Sequence, residues 1–196
     1  MVINKGDTSA LGRDFFRRDT SLVARELLGK MLIRRSGKRC YSGIIIETEA
    51  YYGTGDPASH ASRGMTPRSR LMFGRPGIAY VYLCYGAYWL LNAVTEEEGT
   101  PGAVLIRGLI PLEGIEDMKK RRKISVVRKL TDGPGKLTVA LNIDGRDNGK
   151  DMTNGRGSLY MAQGPEIAGH FEIRITPRIG IREGKDHMLR YLAVGL

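Results

Sequence analysis

The sequence predicts an α+β fold: a single domain over residues 1–196, with a curved, mostly antiparallel sheet, peripheral helices and a protruding β-hairpin. Three observations carry that expectation. The apolar runs are short, often alternating, and bounded by turn-forming residues, which is the signature of strands. They come in neighbouring pairs, 31–34 with 40–50 and 78–83 with 88–94, at hairpin spacing. The helical stretches are short and carry their own start and stop signals. No linker, repeat or low-complexity tract divides the chain. A domain of this length buries roughly 70% of its unfolded surface.

Taken in order, Asp19-Thr20-Ser21 is a helix N-cap, followed by Leu22, Val23, Leu27 and Leu28 on one stripe, with Gly29 as the stop. The first hairpin turns at Ser36-Gly37. Residues 52–76, rich in Gly, Pro, Ser and Arg, read as a long functional loop with a helical turn over 69–73. The second hairpin turns at Cys84-Tyr85-Gly86-Ala87. A strand over 103–109 leads into a charged helix over 112–122. Gly133-Pro134-Gly135-Lys136 opens a helix reaching about residue 143, its first amides turned to meet a phosphate. Residues 145–157 read as a polar surface excursion, and 158–162 and 172–176 as the last strands.

Composition narrows the function. The formal net charge is +10, spread over Arg63, Arg68, Arg70, Arg75, residues 119–123, Arg128, Lys129 and Lys136 rather than gathered in a tail. That distribution suits a surface following a phosphate backbone. Residues 119–123 alone read as a solvated helix face. The N-terminal seven residues lack a signal-peptide core and no apolar run is long enough to span a bilayer, so an intracellular chain without a membrane partner is expected. Two cysteines, Cys40 and Cys84, read as reduced thiols, and no ligand spacing for zinc or another metal appears.

The run 44–51, Ile-Ile-Ile-Glu-Thr-Glu-Ala-Tyr, is the most informative segment. Strand alternation groups Ile44, Ile46, Thr48 and Ala50 on a core face, and Ile45, Glu47, Glu49 and Tyr51 on the other. A carboxylate beside an aromatic ring on a rigid strand suits general-base work on a flat substrate. At the second hairpin, Tyr82, Tyr85, Tyr88 and Trp89 crowd a turn that is ordinarily polar. In a basic protein a protruding ring can wedge between base steps.

Glu47-Thr48-Glu49-Ala50-Tyr51, His60, residues 66–73 (Thr-Pro-Arg-Ser-Arg-Leu-Met-Phe) and residues 76–86 (Pro-Gly-Ile-Ala-Tyr-Val-Tyr-Leu-Cys-Tyr-Gly) together resemble the alkyladenine (3-methyladenine) DNA glycosylase family. Asn92, Arg107 with Pro111-Leu112-Glu113-Gly114, and Gly133-Pro134-Gly135-Lys136-Leu137 continue the likeness in order. Arg178-Ile179-Gly180-Ile181 and Arg190-Tyr191 extend it towards the C-terminus.

The resemblance implies an intracellular, monomeric base-excision-repair enzyme without metal or organic cofactor. It would flip alkylated or deaminated purines out of damaged double-stranded DNA and hydrolyse the glycosidic bond, leaving an abasic site and performing no lyase step. Glu49 would be the general base and Arg107 its partner. Tyr51, His60, Tyr82 and Asn92 would line the base pocket, Tyr85 would fill the vacated stack, and Lys136, Arg68 and Arg70 would contact phosphates. Glu47 reads as a structural partner for a nearby basic group rather than half of a retaining-glycosidase pair. Two rivals are a non-catalytic nucleic-acid-binding module of the same fold, which has no need of Glu49 and Arg107, and a nucleoside hydrolase, which usually brings an aspartate-rich calcium site that this sequence lacks.

Overall fold

The computed structural model describes residues 7–165 and 171–196. The N-terminal residues 1–6, read above for a signal sequence, lie outside the described residues. In chain order the elements are β1 (Asp7–Ala10), α1 (Arg13–Phe16), α2 (Thr20–Glu26), β2 (Met31–Ser36), β3 (Arg39–Tyr51), β4 (Ala79–Cys84), β5 (Tyr88–Val94), β6 (Ala103–Glu113), α3 (Ile115–Arg122), α4 (Pro134–Leu141), β7 (Leu159–Gly164), β8 (Glu172–Thr176) and β9 (Arg190–Val194). The strands form one open sheet in the order β1-β7-β2-β3-β6-β5-β4, with β9 also on β3 and β8 on β9. All these named pairings are antiparallel. The α+β expectation therefore holds. No helix among the described residues is long and apolar enough to cross a membrane.

The 13-residue β3 is the spine of the sheet, pairing with β2, β6 and β9. Its main core lies against α2 and α4, where Val23, Leu27, Ile45, Ala50, Leu137 and Leu141 are buried together. Asp19 caps α2 by accepting from the Leu22 amide, and Gly29 leaves the helix at a positive φ of 84°. Leu22, placed above on the apolar stripe, is instead 40% exposed.

The alternation expected along 44–51 fails at one point. The register runs Ile45 opposite Leu109, Glu47 opposite Gly108, then Thr48 opposite Ile106. Ile46 and Arg107 are extra residues, one on each strand, and such bulges shift side-chain parity. Ile44 and Ile46 accordingly pack with Met31, Ile33 and Tyr160, whereas Ala50 joins Ile45 in the main core. Thr48 turns to α2, its hydroxyl donating to the Ala24 carbonyl at 2.7 Å. Glu47, Glu49 and Tyr51 stay together, as expected.

Other corrections have equally local causes. The strand expected over 103–109 continues to Glu113, with Pro111 opposite Gly43, where a Cβ would lie 2.8 Å from the Ile110 carbonyl oxygen. Gly114, at φ 76°, then breaks the strand, and α3 begins three residues later than expected. Residues 145–157 are no mere surface excursion. Asp147 is fully buried between Arg34 and Lys150, and Met152 belongs to the core. Residues 119–123 are likewise more than a solvated face. Arg121 covers the Tyr41 ring and donates to the Ala140 carbonyl, while Arg122 donates to the Leu130 carbonyl. Strands β1 and β9 were not anticipated.

Gly77 starts the path into β4 at φ 82°, and a Cβ there would run into Thr153 and lie 3.2 Å from the Phe16 ring. Gly77→Ala is expected to lower stability by about 1–3 kcal/mol. Urea unfolding should show a lower midpoint with an unchanged m-value.

Candidate active site

Glu49 lies on β3 with none of its surface exposed, an arrangement that is costly for a carboxylate unless donors surround it. Three do. The Ile179 amide donates to Oε1 at 2.8 Å, the Tyr51 hydroxyl donates to Oε2 at 2.8 Å, and Arg107 Nη1 donates to Oε2 at 3.3 Å. Burial nevertheless dominates and holds the Glu49 carboxyl above the usual range, against the pull of Arg107 and of these hydrogen bonds. Oε2 is occupied by two donors, whereas Oε1 accepts one and keeps a lone-pair direction for another.

Arg107 is held from its other side. Glu47 Oε1 accepts from Arg107 Nε at 2.7 Å and from Arg190 Nε at 2.7 Å. Glu47 thus anchors two arginines, and the first of them reaches Glu49. The bulge that carries Arg107 lies beside these carboxylates, and β9 brings Arg190 into register with Glu49. The sequence reading of Glu47 as a partner for basic groups matches this geometry.

Beside Glu49, four aromatic rings form a small cage. The His60 ring meets Tyr82 edge-on with centroids 4.6 Å apart, and Tyr80 lies 5.2 Å from Tyr82. His60 Nδ1 is 2.8 Å from the Tyr80 hydroxyl. Burial and the nearby Arg68 push the His60 pKa down to about 4, so its imidazole is neutral at physiological pH. Burial likewise raises the Tyr51 and Tyr82 phenols, which remain protonated. Asn92, buried on β5, donates to the Tyr80 carbonyl at 3.0 Å, fixing its amide in the cage wall. The cavity between them, which also touches Met72 and Ala103, measures about 20 Å³.

The cage opens on a groove of about 870 Å³ that shares Tyr51, His60 and Tyr82 with it. Arg107, Ile179, the first turn of α4 at Pro134 and Gly135, and the hairpin residues Tyr85 and Tyr88 are among its other lining residues. All three donors to Glu49 border this groove. Tyr85 stands at the β4–β5 turn, 86% exposed and at a positive φ of 49°, a conformation disfavoured for an aromatic residue. Strands β4 and β5 pair antiparallel on either side of this turn, with Cys84 opposite Tyr88.

The three expected phosphate contacts fare differently. Arg68 lines the groove with its guanidinium 5.1 Å from the Tyr82 ring centroid. Lys136 is exposed and paired with Asp132 at 2.9 Å, one residue beyond the groove lining. Arg70 is exposed at the start of a 3-10 turn and does not line the groove.

Sequence reasoning missed three contributors: the Ile179 amide, Arg190 on Glu47, and Arg178 beneath Tyr51. The first is a backbone group with no residue signature. The other two had appeared only as parts of a C-terminal resemblance. Among the described residues no group of three metal-ligating side chains gathers.

A family profile described as methylpurine-DNA glycosylase matches residues 14–195. Three relatives, each provisionally named 3-methyladenine DNA glycosylase, show the same likeness along almost the whole chain. The protein from Prosthecochloris aestuarii is 53% identical over 179 residues, covering 91% of this chain and 85% of its own. That from Methanocella arvoryzae is 48% identical over 181 residues, covering 92% and 88%. That from Koribacter versatilis is 44% identical over 188 residues, covering 94% and 90%. With a buried, three-donor carboxylate beside an aromatic cage, and with this similarity over residues 14–195, the chain belongs to the methylpurine-DNA glycosylase family.

Proposed function

We propose that the protein excises methylated or deaminated purines of the 3-methyladenine, 7-methylguanine and hypoxanthine type from damaged duplex DNA, using Glu49 to activate the attacking water. The observation that carries this reading is the placement of Glu49: a carboxylate kept basic by burial, with one lone-pair direction on Oε1 left over, between groove-lining Arg107 and Ile179. Water seated there would meet C1′ of a nucleotide turned out of the helix. Arg107 would hold the carboxylate and the water. The negative charge of Glu49 would stabilise an oxocarbenium-like transition state, because base catalysis alone supplies about 10²–10⁴-fold.

Tyr51, His60 and Tyr82 would grip the everted base. Stacking on such rings contributes about 1–3 kcal/mol each, comparable with the few kcal/mol that eversion costs. A neutral His60 suits a cationic alkylpurine, which it does not repel. The cavity of about 20 Å³ is small beside a purine, so an everted base would seat at its mouth or widen it. Arg68, seated on Tyr82, is the exposed group at that entrance. Asn92 would crowd the exocyclic amine of any guanine and so disfavour the normal base, a penalty that 7-methylguanine would offset because its cationic base is a better leaving group, and Tyr85 would occupy the vacated stack. Lys136 and Arg70 would meet phosphates beside the groove. No lysine lines the groove among the described residues, which supports simple hydrolysis over a lyase step through an amine.

Duplexes carrying single 3-methyladenine-type, 7-methylguanine or hypoxanthine sites test the reading. Incubation followed by hot alkali should cut the strand at the lesion, and incubation alone should leave it intact. Intact strands after alkali with every lesion would refute the assignment, and cutting without alkali would refute the absence of lyase chemistry.

A further inference from the structure

The ion pair between Arg178 and Asp56 is the most deeply buried among the described residues, with side-chain exposures of 0% and 3%. Arg178 Nη1 donates to Asp56 Oδ2 at 2.7 Å and to the Ala50 carbonyl at 3.0 Å, and Nη2 donates to Asp56 Oδ1 at 2.6 Å. Arg178 Nε is buried without a partner. Stability does not explain this arrangement, because a desolvated pair with an unsatisfied donor generally compares poorly with apolar residues of the same volume. What the pair touches does explain it.

Arg178 lies 4.6 Å from the Tyr51 ring centroid, and Tyr51 is the donor to Glu49 Oε2. The next residue, Ile179, supplies the amide on Glu49 Oε1. Asp56 in turn accepts from the Tyr52 and Ala58 amides, ordering the loop that leads to His60. One guanidinium therefore fixes the strand end at Ala50–Tyr51, the 177–180 segment and the His60 loop relative to one another.

We infer that Arg178, clamped by Asp56, is a positioning residue for the reaction: it sets both the Tyr51 hydroxyl and the Ile179 amide on Glu49, and so governs how basic that carboxylate is. The inference rests on Glu49 being the general base. The groups facing Glu49 are Tyr51 and Glu47 from β3, Arg107 from β6, Arg190 from β9, Tyr82 from β4, and Ile179 with Arg178 from the C-terminal segment. Of these, Tyr51 and Ile179 are the two that Arg178 controls. Both hydrogen bonds favour the ionised carboxylate, so loosening them raises the pH at which Glu49 ionises.

Two variants test this, with excision measured from pH 5 to 9 on the best lesion duplex. R178K keeps a charge and loses the planar fork. Its acid limb should move up by about one pH unit, so that a deficit of about tenfold at low pH shrinks as pH rises. The double substitution D56N/R178M removes both charges together with the contact to the Ala50 carbonyl, and should show the same displaced limb even where its melting temperature falls. An unmoved limb in both variants overturns the inference, as does a loss that is equal at every pH and follows melting temperature. Wild-type protein inert on all lesions would instead sink the glycosylase reading, before either variant is informative.

Discussion

Glu49→Gln is expected to lower base release about 10²–10⁴-fold and to leave binding to lesion duplex largely intact. Gln matches Glu in shape, so the cage, the groove and the Tyr51 contact persist while the base is lost. The same substitution carries an opposite expectation for stability. Burial raises the Glu49 pKa in the folded protein. A group raised in this way contributes its stability fully below the unfolded value near 4.3, and loses it as pH rises through the folded value. At pH 8 the wild-type protein therefore bears the cost of an ionised, buried carboxylate, and the variant does not. The difference in melting temperature between E49Q and wild type should move in the variant's favour from pH 5 to pH 8. Undiminished turnover by E49Q would remove Glu49 from the mechanism. A melting difference that is flat with pH would show that its ionisation is not coupled to folding.

This opposition between stability and chemistry extends beyond one residue. Glu47, Glu49, Arg107, Arg178 and Asp56 are all at least mostly buried, and each charge is answered by a neighbour on a different element. Apolar side chains at these positions would satisfy the sheet more simply. Such a network is built where a reaction needs charge held in place.

How much of this was legible in the sequence depends on distance along the chain. Glu49 and Tyr51 could be paired because they lie two residues apart on a strand. Tyr80 and Tyr82 could be paired for the same reason, and α2 announced itself through Asp19 and Gly29. Period-two reasoning failed at Ile46, where a bulge shifts parity and the glycine beside it, Gly108, lies on the partner strand. The resemblance brought Arg107 to Glu49. What stayed hidden were groups joined by tertiary packing alone: a backbone amide 130 residues away in sequence at Ile179, and the strand β9 that delivers Arg190 to Glu47. Residues 145–157 looked polar and therefore external, because burial of Asp147 becomes apparent only once Arg34 arrives from β2.

Arg107→Met is expected to show which charge keeps Glu49 ionised. Arg107 is the strongest influence lowering the Glu49 pKa, ahead of the Ile179 and Tyr51 hydrogen bonds. Its side chain is only 12% exposed, bound to a Glu49 side chain that is not exposed at all. Removing one partner of a buried pair costs about 3–5 kcal/mol, and the lower end applies here because Arg190 still holds Glu47. The sign with pH follows from Glu49. Without Arg107 its pKa rises further, so the carboxyl stays protonated over a wider range and the protein avoids the unpaired charge until high pH. The stability loss should therefore be largest near pH 8 and smaller near pH 5, as read from urea midpoints at the two values. Base release should fall more than tenfold at neutral pH and recover in part as pH rises, with R107K lying between Met and wild type. Equal destabilisation at both pH values, together with an unmoved acid limb, would mean that Arg107 only braces the strands. In that case the counter-charge to the base would have to be sought in Arg178, whose field also reaches Glu49.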